Sequence, residues 1–182
     1  MKKALHVVLS AALAAGTMGA AFASTPSQSN ARFDERLARQ VRHELAMIPQ
    51  VSVFENLAYS VDGGTVTLLG EVRNAVIKDE AERSVKHLEG VERVNNKIEI
   101  LPLSFNDDRI RRQVARAVFN SGALFNYAVQ PVPPIRIIVK NGHVDLEGVV
   151  RTQADKNVAF IRANGVPGVF SVENNLKVEQ KG

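Results

Sequence analysis

Apolar and polar positions follow the same order twice along this chain, in residues 33–102 and again in residues 105–179. Each segment starts with apolar residues spaced three and four apart, continues with two short alternating runs, and returns to helical spacing before a last alternating run. Spacing of three and four predicts an amphipathic helix, and alternation predicts a strand with one buried face. The pattern therefore predicts the order α-β-β-α-β in each segment.

Turn and capping residues locate these elements in the first segment, because Asp-Gly pairs favour hairpins and Asn, Asp and Gly favour helix ends. The apolar stripes predicted to be buried are Leu37, Val41, Leu45 and Ile48 on the first helix and Ile77, Ala81, Val85 and Leu88 on the second. The predicted elements are a helix opened by Asp34, strands over residues 58–61 and 65–72, a helix capped by Asn74 and ended by Gly90, and a strand over residues 91–100.

The second segment repeats this order with its own turn and capping signals. The predicted elements are a helix from about Asp107 with Ile110, Val114, Ala117 and Val118 inward, strands over residues 135–139 and 144–150 around Asn141-Gly142, a helix opened by a Thr152–Asp155 capping box and ended by Gly165, and a strand over residues 169–178. We therefore predict an α+β protein of two tandem αββαβ domains, each a three-stranded mixed sheet with two helices on one face.

The same residues recur about 78 positions apart, which marks a duplicated unit. Val61, Gly64, Val66, Leu68, Gly70, Val72 and Arg73 recur as Val139, Gly142, Val144, Leu146, Gly148, Val150 and Arg151, and Gly90, Val91, Val94 and Asn96 recur as Gly168, Val169, Val172 and Asn174. No acid, histidine or serine recurs with them, so the duplication concerns a scaffold rather than an active site.

The recurring glycines are interpreted as structural. Gly64 and Gly142 are predicted to supply a positive φ in the hairpins. Gly70 and Gly148 are predicted to face inward, where a missing side chain lets a helix approach the strand. The complete set of predicted structural glycines is Gly64, Gly70, Gly90, Gly142, Gly148 and Gly168.

The amino terminus has the three parts of a secretory signal: Lys2 and Lys3, an apolar run over residues 4–15, and small residues ending in Ala21-Phe22-Ala23. The run is too short and too rich in small residues to favour a membrane span. Cleavage after Ala23 and location in the periplasm are expected. The predicted divisions are a signal peptide over residues 1–23, a flexible leader over 24–32, a first domain over 33–102, a linker over 103–104 and a second domain over 105–179.

The composition of the chain limits the kinds of chemistry and binding that it can support. The chain has no cysteine, which excludes disulfides and thiolate chemistry, and argues against acylation as a lipoprotein. The formal net charge of +4 includes Lys2 and Lys3, so removal of the signal leaves about +2, a weak basis for nucleic-acid binding. A G-x-x-G match over residues 165–168 resembles the KH loop, but such short patterns are common. We expect no nucleic-acid partner.

Candidate catalytic and metal-binding residues are scattered. The histidines lie in separate elements without metal-ligand spacing, the serines lack a neighbouring base, and the paired aspartates stand at a helix start, where negative charge is favourable. These residues are His43, His87 and His143, Ser104, Ser121 and Ser171, and Asp107 and Asp108. We therefore predict no enzyme activity, no metal and no cofactor.

One helix face is the candidate contact site. Arg112, Arg116 and Phe119 fall within roughly 60° of one another, opposite the apolar stripe. An aromatic ring among arginines suits the headgroup boundary of an anionic bilayer or a protein partner. The other interpretation is that Phe119 packs between the two copies or against neighbouring apolar residues. The first copy has Arg39, His43 and Ala46 at the corresponding positions.

The order of motifs resembles the BON domain. The carrying features are the G-x-V strand ends at Gly70 and Gly148, the G-V-x-x-V-x-N motifs ending at Asn96 and Asn174, and the tail over residues 162–176. A signal peptide followed by two such domains is similar to the periplasmic, osmotically inducible group of this family. The resemblance implies a non-enzymatic role in osmotic or envelope stress, with binding to anionic phospholipid surfaces or chaperone-like binding to envelope proteins. The alternative is a structural adaptor that recruits partners through a sheet edge.

Overall fold

The computed structural model describes residues 28–130 and 132–179, and the predicted signal peptide lies outside these residues. Helix α1 spans Gln28–Ala46 and begins before Asp34. The prediction of a flexible leader through residue 32 is therefore wrong for residues 28–32. Phe33 packs against the apolar core and thereby anchors the amino-terminal turns of α1.

Each half has the predicted αββαβ order, with the last strand in two pieces. The first half contains α1, β1 (Asn56–Asp62), β2 (Thr65–Val72), α2 (Ala75–Lys86), β3 (Arg93–Asn96) and β4 (Glu99–Ile100). The second half contains α3 (Phe105–Phe119), the short α4 (Phe125–Ala128), β5 (Ile135–Lys140), β6 (His143–Val150), α5 (Gln153–Asn164), β7 (Ser171–Asn174) and β8 (Lys177–Val178).

The sheets are mixed, as predicted. Strand β2 pairs antiparallel with β1 and parallel with both β3 and β4, and β6 does the same with β5, β7 and β8. The recurring asparagine explains the break in the last strand. The Asn96 side chain donates to the Lys78 carbonyl at 3.1 Å and accepts from the Ile98 amide at 3.2 Å. Asn174 repeats both contacts, so this side chain replaces a ladder bond and ties the strand to the helix.

Each half has its own apolar core between helices and sheet. The predicted stripes of α1 and α3 are buried, except that Ala117 is only half-buried. Val66, Leu68 and Val72 meet α1 and α2 from the sheet. The second core has more buried members, among them Leu124, which is the N-cap of α4, and Tyr127 on α4. No helix within the described ranges is long and apolar enough to cross a membrane.

Helix caps agree with the sequence signals in part. Asn74 accepts a hydrogen bond from the Val76 amide at 2.9 Å, and Thr152 accepts one from the Asp155 amide at 3.1 Å. The reciprocal half of the predicted capping box is absent from the described structure, because the Asp155 carboxylate accepts from the Tyr127 hydroxyl at 2.8 Å. Helix α2 ends at Lys86 rather than at Gly90, which lies in the turn before β3 with φ 92°.

The glycines are structural, but for a different reason at two positions. Gly64 and Gly142 have φ 83° and 81°, as predicted for the hairpins. Gly70 and Gly148 have φ 108° and 115°, and an added Cβ would stand 2.0 Å and 1.8 Å from the carbonyl oxygens of Asn56 and Pro134. The prediction that a helix approaches these glycines is therefore wrong. The neighbouring backbone comes close instead, on the side where β1 and β5 begin.

Candidate functional site

The two halves meet through the segment that precedes β1. The Ile137 amide donates to the Val53 carbonyl at 2.7 Å, and the Arg136 guanidinium donates to the Ser52 carbonyl at 3.0 Å. The next residue along the chain, Phe54, packs against the core of the second half. This segment of the first half therefore docks on β5 of the second, and the two units share a packed junction.

A buried carboxylate holds the docking segment in shape. Glu55 is 1% exposed and accepts hydrogen bonds from the Ser52 amide at 2.7 Å, the Ser52 hydroxyl at 2.6 Å and Arg73 Nε at 2.7 Å. The Arg73 guanidinium also lies 5.1 Å from the centre of the Phe54 ring. The recurring arginine of the first half is therefore a junction residue, and its counterpart Arg151 lies over the Tyr127 ring.

Carboxylates from both halves come together beside this junction. Burial raises the pKa of Glu71 above its usual range, although a hydrogen bond from Asn56 lowers it. The charges of Glu147, Glu99 and Asp145 raise the pKa of Glu71 further, and two of these three belong to the other half. The negative charges of the two halves are thus close enough to influence one another's protonation.

Asp145 on β6 belongs to the same group. Burial raises the pKa of its carboxyl, and the charges of Glu173 and Glu147 add to the rise, whereas His143 and Lys140 lower it. Lys140 also pairs with Glu99 of the first half, so one cation stands among the carboxylates. The negative charge of these carboxylates is therefore only partly neutralised.

This arrangement predicts that part of the stability is lost as the pH rises. A raised pKa means that folding favours the protonated carboxyl, so the contribution of Glu71 and Asp145 is fully present below their usual pKa and disappears as the pH passes through the raised values. We expect Asp145→Asn to unfold at a higher temperature than the wild type at pH 7, with the difference vanishing near pH 3. Thermal unfolding at both pH values measures this, and a variant less stable at pH 7 would contradict it.

The structure separates the residues of the predicted contact face. Arg112 and Arg116 are exposed on α3, whereas Phe119 is half-buried and packs against the core of the second half. The arginines therefore face solvent without the ring. Ala46, at the corresponding position of α1, is exposed.

An apolar side chain from another helix stands beside Arg116 instead. Ile161 on α5 is 66% exposed and, with Arg116 and Arg162, lines an open groove of about 480 Å³ that also includes Ala117 and Pro167. None of the groove's lining residues is acidic. Arg112 does not line the groove, but it is exposed on α3 one helical turn before Arg116. We call Arg116, Ile161 and Arg162, together with Arg112, the α3–α5 face.

Sequence reasoning missed Ile161 and Arg162, but a signal for them exists. The buried side of α5 consists of Ala159 and Ala163, so Phe160 and Ile161 fall off the apolar stripe. Their counterparts 78 positions earlier are Glu82 and Arg83, which suit a solvated surface. Two apolar residues outside the stripe of one copy therefore indicate a surface specific to the second half.

Ser104, Ser121 and Ser171, which were considered as catalytic candidates, form local contacts. Ser104 accepts from the Asp107 amide at 3.1 Å as the cap of α3, and Ser121 donates to the Val118 carbonyl at 2.7 Å. His143 is exposed and contacts Ser171 at 2.7 Å. In the part of the chain that the structure covers, no three histidine or acidic side chains are grouped to hold a metal ion.

Comparison with known proteins identifies the repeated unit. The family model of the BON domain matches residues 33–102 and 106–180. The chain belongs to the BON-domain family. Its two BON domains are α+β units with mixed sheets, which confirms the predicted fold class.

Individual proteins that are similar to this chain share a low sequence identity with it. The outer membrane lipoprotein DolP of Haemophilus influenzae is 28% identical over 174 residues, covering 92% of this chain and 86% of DolP. Among solved structures, the C-terminal domain of CdsD, a structural protein of the type III secretion system of Chlamydia trachomatis, is 13% identical with a TM-score of 0.34. That alignment covers 79% of this chain and 98% of the CdsD chain.

Proposed function

We propose that this double-BON protein acts without catalysis at the cell envelope, where its second BON domain binds anionic phospholipid surfaces. The similarity to an outer membrane lipoprotein and the predicted export signal support the location. A role in osmotic or envelope stress, implied by the resemblance to the inducible double-BON group, belongs to the same proposal.

The observation that carries the proposal is the exposed Ile161, which lines one groove with Arg116 and Arg162. A free aliphatic side chain flanked by guanidinium groups matches the boundary of an anionic bilayer, where the apolar group enters the acyl region and the cations meet phosphates. The face lies on two packed helices, so it is preorganised. Its groove contains no acidic residue that would repel a headgroup.

The test is co-sedimentation with vesicles of phosphatidylcholine, with and without phosphatidylglycerol. Each basic residue near an anionic surface contributes about 1 kcal/mol. Replacing Arg112, Arg116 and Arg162 with glutamine is therefore expected to weaken binding by about a hundredfold and to flatten its salt dependence. Ile161→Asn is expected to weaken binding while leaving the salt dependence in place.

A charge-matched control in the first domain is Arg83→Gln, Lys86→Gln and Lys97→Gln, which removes three exposed cations away from the α3–α5 face. This variant should bind vesicles like the wild type. Phe119 is unsuitable for the test, because its packing against the core couples any substitution to stability. Equal losses in both triple variants would reject the face as the site.

Vesicle binding separates the lipid proposal from the other functions, and binding to added polypeptides separates these from each other. A chaperone-like protein would ignore vesicles and retain an unfolded polypeptide client, and a structural adaptor would ignore both and bind a folded envelope protein. Either result would overturn the lipid proposal. Saturable binding to anionic vesicles that is lost in the α3–α5 variant supports it.

A further inference from the structure

The core of the first BON domain is open on one side where the core of the second is closed. Leu57 and Tyr59 on β1 are half-buried, whereas Ile135 and Ile137, their counterparts 78 positions later, are fully buried. Asp34 and Asp107 both accept from hairpin amides, which makes them equivalent positions. The first domain therefore lacks a closing group that the second domain has.

That group is an aromatic ring. Counting twelve residues on from Asp34 and from Asp107 gives Ala46 and Phe119. Phe119 packs against the second core, together with Phe54 from the first half. Ala46 has only a methyl group, so the end of α1 and the open side of β1 are left apart.

The resulting space is a pocket of about 240 Å³ built by both domains. Its lining consists of Arg42, Leu45, Ala46, Val51, Leu57 and Tyr59 from the first half, and Val132, Pro133 and Arg136 from the second. An apolar cavity of about 150 Å³ holds benzene, so this pocket has room for roughly ten non-hydrogen atoms. The apolar residues lead from the surface toward the first core.

The charged residues that line the pocket are all cationic. The lining contains Arg42 and Arg136 and no carboxylate, and neither arginine forms an ion pair with any residue in the described ranges. Arg136 is half-buried and donates to the Ser52 carbonyl, which leaves further N–H groups for another acceptor. Burial lowers the pKa of Arg136, and the nearby charge of Glu55 only partly offsets this effect.

We propose that this pocket binds a small amphiphilic anion, an aliphatic carboxylate of about ten non-hydrogen atoms. The alkyl chain lies against Leu45, Leu57 and Tyr59, and the carboxylate accepts hydrogen bonds from Arg42 and Arg136. An arginine fork pairs well with a carboxylate, and a partly desolvated cation gains most from a bound anion. The site needs residues of both domains, so it exists only in the docked pair.

Octanoate, with ten non-hydrogen atoms, is the probe. Titration followed by calorimetry or amide NMR shifts on the full mature chain is expected to show one saturable site. Octanol has the same chain without the charge, octylammonium has the opposite charge, and acetate has the charge without the chain. We expect all three to bind at least tenfold more weakly than octanoate, because each lacks either the negative charge or the alkyl chain.

Two variants test the geometry. Ala46→Phe supplies the ring that closes the second domain and is expected to abolish octanoate binding while leaving both arginines in place. Met47→Phe adds the same ring at an exposed neighbour outside the lining and is expected to change nothing. Arg42→Gln, at an exposed position, is expected to weaken octanoate binding about tenfold without changing thermal stability.

The outcome is independent of the lipid proposal, because octanoate is tested below its micelle concentration and without vesicles. The Arg112, Arg116 and Arg162 glutamine variant should bind octanoate normally. Octanol binding as tightly as octanoate, unchanged binding by Ala46→Phe, or loss of octanoate binding in the α3–α5 variant would each overturn the pocket as the site.

Discussion

Gly148→Val is expected to lower the free energy of unfolding of the second BON domain by about 2–6 kcal/mol. Strain from a branched residue at φ 115° contributes about 1–3 kcal/mol, and the overlap of its Cβ with the Pro134 carbonyl contributes a similar amount. Because single domains are stable by only about 5–15 kcal/mol, this change removes much of the margin. Urea unfolding followed by far-UV circular dichroism measures it.

Gly70→Val should have the same effect in the first domain, where the added Cβ meets the Asn56 carbonyl. Gly63→Ala is the control for strain alone, because Gly63 has φ 51° with no atom within 4 Å of an added Cβ. Its expected loss is about 1 kcal/mol. Similar losses in Gly63→Ala and Gly148→Ala would show that the close approach of the Pro134 carbonyl contributes nothing.

Asp107→Ala is expected to destabilise the second domain by about 3–6 kcal/mol. The Asp107 carboxylate is 1% exposed and accepts hydrogen bonds from the Asn141 and Gly142 amides, both at 2.9 Å. Each hydrogen bond to a charged acceptor contributes about 1.5–3 kcal/mol. The pair also holds Asn141 at φ 53°, a conformation that the hairpin requires. Urea unfolding at constant pH provides the measurement.

Asp34→Ala is the matched change in the first domain. Asp34 is half-buried and accepts from one amide, that of Gly63, at 3.1 Å, so a loss of about 1 kcal/mol is expected. The two variants therefore differ although the residues are equivalent. Equal losses would mean that Asp107 acts through the charge at the start of α3, as its sequence position alone suggested.

Local features of the fold were predictable because they depend on short-range geometry. The stripe Leu37, Val41 and Leu45 has the period of a helix, so its burial follows from the spacing. Gly64 and Gly142 follow turn-forming residues, and a positive φ at these positions needs only local backbone rules. The duplication extended these predictions to the second domain without further assumptions.

The glycines inside the strands show where such rules end. The sequence indicated that Gly70 and Gly148 need a missing side chain, but not which group fills the space. A close helix and a close carbonyl oxygen would both exclude a side chain, so either one requires a glycine. The difference depends on how the residues that lead into β1 and β5 approach their partner strands.

The sequence by itself determined two BON domains, their element order and their buried stripes. Helices and strands each space their apolar residues regularly, and this spacing can be seen in neighbouring positions of the chain. Only the tertiary structure decided that Phe119 packs inward, that Ile161 joins Arg116 on the α3–α5 face, and that Arg42 and Arg136 share a pocket. These groupings join residues 45 to 94 positions apart in the sequence. Their contact follows from how helices and domains pack, and packing leaves no periodic trace along the chain.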